Sequence, residues 1–173
     1  MEVPEQEKLV NTLKEKYEDE ILHIETPYNF LTIVLRKEKI IEIIKFLYDH
    51  PDTKFQYLTS LAAVHYPDLK QIVVVYQLHN LVNNHRVRLK ISLSEENAVT
   101  QTLTPVFAAA NWMERETYDF YGVIFEGHPN LQRILNVEEM TIFPMRKEYP
   151  LEDQTREDKN DSMFGRNLEQ NAK

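Results

Sequence analysis

Ile72-Val73-Val74-Val75-Tyr76-Gln77-Leu78-His79, then Asn80-Leu81-Val82-Asn83-Asn84, then Arg86-Val87-Arg88-Leu89-Lys90-Ile91-Ser92-Leu93, is the stretch that decides the fold. Successive side chains of a strand point to opposite faces. Ile72, Val74, Tyr76 and Leu78 therefore share one face. In the second segment Val87, Leu89, Ile91 and Leu93 share one face, and Arg86, Arg88, Lys90 and Ser92 share the other. The pattern predicts an antiparallel hairpin with one side in a core. Its basic side reads as solvated surface, with a dock for an acidic partner as the alternative.

Working back from the hairpin, Gln56 to Val64 reads as a strand with a bend, and His65-Tyr66-Pro67-Asp68 as a turn. Lys37 to His50 reads as a helix whose stripe is Ile40, Ile43, Ile44 and Leu47. It stops at His50, because the residue before a proline avoids the helical region. Ile21 to Thr26 and Leu31 to Arg36 are strands joined by the turn Pro27-Tyr28-Asn29. Pro4 to Glu20 is an amphipathic helix, with Leu9, Val10, Leu13 and Tyr17 at helical spacing. The strand–helix alternation suggests helices laid against a sheet, an α/β (α+β) fold. Residues 1–140 form this domain, and 141–173 form an extended C-terminal arm.

Downstream, Thr104-Pro105 predicts a helix start, with threonine as N-cap and proline at the first helical position. The expected buried stripe is Val106, Ala109, Ala110, Met113 and Phe120. The helix carries Trp112-Met113-Glu114-Arg115-Glu116-Thr117-Tyr118-Asp119-Phe120-Tyr121, and Gly122 should end it in a left-handed conformation. Glu116 and Asp119 share a face at this spacing, and Arg115 can pair with Asp119. Gly127-His128-Pro129 makes a tight turn that His128 should lock by hydrogen bonding. Arg133 then returns a positive charge. Glu114, Arg115, Glu116, Asp119 and Arg133 are expected to form a buried or interfacial ion-pair network. Pro144-Met145-Arg146-Lys147-Glu148-Tyr149-Pro150-Leu151 reads as a bent, extended exit segment. The charged remainder buries too little apolar surface to fold alone, so it is expected to lie along another protein and to be mobile without it.

The 173 residues carry a net charge of −8, no cysteine and three glycines. The charge argues against a nucleic-acid binder. Without cysteine there is no disulfide, no thiolate nucleophile and no cysteine-ligated zinc or iron–sulfur cluster. No glycine cluster makes a phosphate loop. Met1-Glu2-Val3-Pro4-Glu5 lacks the pattern of a secretory leader, and no apolar run is long enough to span a bilayer. Two catalytic readings compete on the helix: a carboxylate pair for acid–base work, and a metal held by Glu114, Glu116, Asp119 and His128. Together they describe a small carboxylate- or metal-dependent hydrolase. The usual helical metal spacing with histidine three or four residues from another ligand is missing. Ser60, Ser92, Ser94 and Ser162 stand in no nucleophile elbow.

Glu114-Arg115-Glu116-Thr117-Tyr118-Asp119-Phe120-Tyr121-Gly122-Val123-Ile124-Phe125-Glu126-Gly127-His128-Pro129 resembles the signature of the respiratory complex I 30 kDa subunit family, in bacteria the C-type subunit of NADH-quinone oxidoreductase. Leu58-Thr59-Ser60-Leu61-Ala62-Ala63-Val64-His65-Tyr66-Pro67 and the segment Pro144 to Leu151 match the same family in order. Asn130 and Gln132 depart from it, where aspartate and arginine are usual; Arg133 is retained. The resemblance implies an α/β domain, a mixed β-sheet with helices packed on it, that serves as a structural, non-redox subunit of the peripheral arm of a proton-translocating complex. That assembly passes electrons from NADH to quinone. It further implies contacts with the D-type (49 kDa-like) and B-type subunits, and a place on the cytoplasmic side of the bacterial inner membrane. FMN, iron–sulfur clusters and quinone would be bound by other subunits, with no catalytic, cofactor or metal residue in this chain. Glu114, Arg115, Glu116, Asp119, Gly122, Gly127, His128, Pro129, Arg133, Pro144, Arg146, Lys147 and Pro150 would be its structural and interface residues. The same domain occurs in energy-converting hydrogenases and other complex I relatives.

Overall fold

The computed structural model describes residues 3–149. Five strands form its main sheet: β1 (Ile21–Glu25), β2 (Thr32–Leu35), β3 (Tyr57–Tyr66), β4 (Gln71–Asn80) and β5 (His85–Ser94). Their spatial order is β1-β2-β5-β4-β3. β1–β2, β3–β4 and β4–β5 pair antiparallel, whereas β2 runs parallel to β5. The sheet is therefore mixed, as the family resemblance implies. The deciding hairpin pairs Ile72 with Leu93, Val74 with Ile91, Tyr76 with Leu89 and Leu78 with Val87. All eight side chains are at most 1% exposed.

The hairpin's basic face is largely used by the chain itself. Lys90 Nζ lies 2.9 Å from Glu25 Oε1, and the Arg88 guanidinium stands 4.6 Å over the Phe30 ring. Lys90 accordingly holds the Glu25 carboxyl below its ordinary range.

Helix α1 (Val3–Tyr17) gives Leu9, Leu13 and Tyr17 to the core, and α2 (Ile40–Asp49) gives Ile40, Ile43, Ile44 and Leu47. All four α2 side chains are fully buried, each worth roughly 1.5–3 kcal/mol on burial. The freed carbonyl of Leu47 accepts Thr53 Oγ1–H at 2.8 Å, which closes the helix at the predicted stop.

Three expectations need correction. Tyr66 and His65 belong to β3, so the turn comes later, at Pro67–Leu69; the expected bend is a bulge between Leu58 and Ser60. The motif helix, α3 (Ala110–Tyr121), starts six residues after Thr104. The Thr104 N–H donates to Thr102 Oγ1, and Leu103 O accepts both Val106 N–H and Phe107 N–H, so this stretch forms tight turns. Of the expected stripe only Ala110 is buried; Val106, Met113 and Phe120 are half-buried and Ala109 is exposed. The buried face of α3 is instead Ala110, Glu114, Arg115, Thr117 and Asp119. A short parallel pair, β6 (Val99–Gln101) with β7 (Ile124–Glu126), brackets α3.

Residues 141–149, expected to be extended, are a run of turns bonded to the domain. Met145 N–H donates to Phe120 O, and Arg146 N–H to Phe143 O. The predicted boundary at 140/141 thus falls inside a packed segment. Pro150 and the rest of the expected arm lie outside the described residues.

Candidate functional site

Asp119 lies on the last full turn of α3 with no exposed surface. Its Oδ2 accepts the N–H groups of Ile134 (3.1 Å), Leu135 (2.8 Å) and Asn136 (3.0 Å). Its Oδ1 accepts Arg133 Nη1 at 2.8 Å and Asn136 Nδ2 at 3.0 Å. Three consecutive N–H groups converging on one oxygen form an anion nest. Burial opposes ionisation, yet the Asn136 and Leu135 N–H groups and the Arg133 guanidinium hold this carboxyl far below the usual range.

Arg133 is equally committed. It donates to the backbone oxygens of Asp119 (2.9 Å), Met140 (2.7 Å) and Ile142 (3.0 Å). Its guanidinium lies 5.0 Å from the Phe143 ring, and Arg146 approaches the same ring at 5.1 Å. Phe143 also explains Gly122. That residue ends α3 at φ 75° and ψ 26°, and a Cβ there would stand 2.5 Å from the ring.

The expected Arg115–Asp119 pair is not formed, because Arg133 occupies the carboxylate. Arg115 instead donates to the carbonyls of Gln132 (3.1 Å) and Arg133 (3.2 Å) and lies 5.1 Å from the Trp112 ring. Glu116 and Asp119 do not act together either. Glu116 is exposed, on the rim of a groove with Leu61, Ala62, Phe120 and Met145. The acid–base pair therefore has one solvated carboxylate and one locked in a nest. The five-charge network reduces to one ion pair, Asp119–Arg133.

Glu114 serves the other side of α3. Its carboxylate accepts Thr102 Oγ1–H at 2.5 Å and Leu103 N–H at 2.6 Å. Burial pushes its pKa up to about 7, against the lowering by Thr102 and Leu103. His128 Nε2 is 4.0 Å away. His128 Nδ1 accepts the Asn130 N–H at 3.0 Å, which leaves Nε2 to donate to Asn111 O at 3.1 Å. His128 thus locks the turn that Gly127 (φ 82°) opens and exposed Pro129 continues. Among the described residues no cluster of three or more carboxylate or imidazole groups is disposed to hold a metal ion.

Pro144 and Arg146 sit in the turns after Phe143, and Arg146 Nε donates to Tyr121 O at 2.8 Å. Lys147 acts through its backbone, whose N–H donates to His65 Nδ1 at 2.9 Å. His65 is buried, with Nε2 3.3 Å from Glu95 Oε1. Sequence reasoning gives His65 only a turn and misses Thr102, Asn136 and Phe143. No spacing rule links residues 12 to 82 positions apart; a histidine on the inward parity of an apolar strand is the one available signal.

The profile of the family described as "Respiratory-chain NADH dehydrogenase, 30 Kd subunit" matches residues 33–155. A relative from Geotalea uraniireducens (strain Rf4), described as the C-type subunit of NADH-quinone oxidoreductase, is 34% identical over 157 residues, covering 90% of this chain and 94% of its own length. One so described from Caulobacter sp. (strain K31) is 45% identical over 114 residues, 65% of this chain. The matched part spans about half the length of that relative, 53%. Among solved structures, "Nqo5 of the trypsin-resistant fragment (1-134)" superposes with a TM-score of 0.63 at 26% identity, over 73% of this chain and 99% of that one. A chain of the membrane-bound sulfane sulfur reductase, an archaeal respiratory membrane complex, shares the fold, with a TM-score of 0.71 at 24% identity over 84% of this chain and 85% of its own. With the mixed sheet and the charged motif on α3, these matches show that the chain belongs to the family of the respiratory-chain NADH dehydrogenase 30 kDa subunit.

Proposed function

We propose that this chain is a structural, non-redox subunit of the peripheral arm of proton-translocating NADH-quinone oxidoreductase, where it holds the D-type (49 kDa-like) and B-type subunits. One observation carries the reading. The buried polar groups of the motif are spent on the chain's own backbone: Asp119 on three N–H groups, Arg133 on three carbonyls, Arg115 on two, His128 on one of each. Such a site builds a frame. Catalysis belongs to the assembly, with FMN, iron–sulfur clusters and quinone held by other subunits, and the isolated chain turns over no substrate. The proposed place is peripheral, on the cytoplasmic side of the inner membrane, and no helix among the described residues is long and apolar enough to cross a membrane.

Affinity isolation of the tagged chain from cells expressing the whole complex tests this. D-type and B-type subunits should be recovered with it; their absence from the isolate would refute the reading. A second reading keeps the fold and changes the machine to an energy-converting hydrogenase or another complex I relative. The shared fold with a chain of the archaeal sulfane sulfur reductase complex favours it. A neighbouring gene for a flavin-binding NADH subunit supports the first reading, and its replacement by a hydrogenase-type gene the second.

A further inference from the structure

The chain from Arg133 to Met145 contains no helix or strand. It is nevertheless tightly held, by the Asp119 nest at one end and the Arg133 bonds to Met140 and Ile142 at the other. A loop fixed in this way loses little ordering entropy when it docks. What it displays is apolar. Leu135 and Val137 are each 65% exposed, Met145 43% and Ile142 38%. Glu138 and Glu139, next to Val137, are exposed as well. No Lys or Arg occurs from Ile134 to Met145. Four large apolar side chains exposed along one ordered loop mark a contact surface, and an acidic border selects a basic rim opposite.

We infer that residues 134–145 form a preformed docking loop for a neighbouring subunit whose contact surface is apolar at its centre and lined by Lys and Arg at its rim. The identity of that neighbour as a D-type or B-type subunit rests on the function proposed above. A second copy of this chain fits poorly, because a two-fold contact would set Glu138 and Glu139 near their own equivalents. The chain's own segment after Tyr149 fits poorly too, since it carries six carboxylates against four basic side chains.

The test co-expresses the full tagged chain with the D-type and B-type subunits. Wild type is compared with Leu135→Asp/Val137→Asp, with Glu138→Lys/Glu139→Lys, and with Leu81→Asp/Val82→Asp. The last pair is equally exposed but lies on the β4–β5 loop. The first variant should recover about tenfold less partner or worse, as for a contact centre. The charge reversal should weaken recovery most at low salt, and the β4–β5 variant should match wild type. Because Glu138 and Glu139 are solvated in the free chain, their variant reads the contact even if the first variant folds poorly. Undiminished recovery with both loop variants overturns the inference alone, as does a dimer of the wild-type chain that the loop variants dissociate. A wild-type chain that recovers neither subunit overturns the proposed function, and the inference with it.

Discussion

Asp119 and Glu114 are five residues apart on one helix and take opposite electrostatic solutions. Asp119 is ionised because five donors surround it, one of them the Arg133 guanidinium. Replacing it with Asn leaves Arg133 buried without a counter-charge, a loss expected to cost roughly 3–5 kcal/mol. The urea midpoint of Asp119→Asn should fall accordingly, and a midpoint equal to wild type would show that the pair contributes nothing net. Glu114 meets two neutral donors and no cation at bonding distance, so burial raises its pKa to about 7 from 4.5. The folded state therefore binds this proton more tightly than the unfolded state does. Its contribution is fully present below pH 4.5 and is lost as pH rises through about 7, on the order of 3 kcal/mol at most. Glu114→Gln should flatten the dependence of stability on pH between about 5 and 8. Denaturation midpoints at both ends check it: an unchanged slope in the variant would place the titration elsewhere.

At the scale of elements, apolar periodicity finds what apolar side chains build. The α2 stripe and the two parities of the β4–β5 hairpin are legible because the buried positions from Ile72 to Leu78 and from Val87 to Leu93 carry aliphatic or aromatic residues. The same rule misreads α3, whose inner face is Glu114, Arg115, Thr117 and Asp119. Glu114, Arg115 and Asp119 are buried by pairing with residues far along the chain, and spacing along the helix cannot show that. Arg115 and Asp119 have the right separation for a pair, but the loop brings Arg133 closer. Thr104-Pro105 has the chemistry of a helix start, yet Thr102 and Glu114 take up the free N–H groups of Thr104 and Leu103 and leave a turn. Gly122 is legible as a helix end, though its second constraint, the Phe143 ring, is not. Gly122→Ala carries both a left-handed backbone penalty and a clash, together about 1–3 kcal/mol. In a double-mutant cycle with Phe143→Leu, the clash should be relieved and the backbone part should persist. Strict additivity of the two melting shifts would mean that the ring is not in the way.

For the whole molecule, the question is where the domain ends. Composition places the change at residue 141, because prolines and charges increase there and large apolar residues thin out. Tertiary bonding places it later. Arg133 reaches forward to Ile142 O, Phe143 lies against Gly122, Arg146 bonds Tyr121 O, and Lys147 N–H bonds the buried His65. Each link ties residues 141–147 to α3, β3 or the Asp119 loop. A chain stopped after Met140 would leave Arg133 short of one acceptor, His65 Nδ1 without its donor and Phe120 O open. Unpaired buried groups cost about 1–3 kcal/mol each, so this truncation should melt well below the full chain. A chain stopped after Tyr149 keeps all of these bonds and should melt with the 173-residue chain. Calorimetry on the two truncations separates the cases: equal stability of both would return the boundary to residue 140, and loss of stability in both would give residues 150–173 a share in holding the domain together.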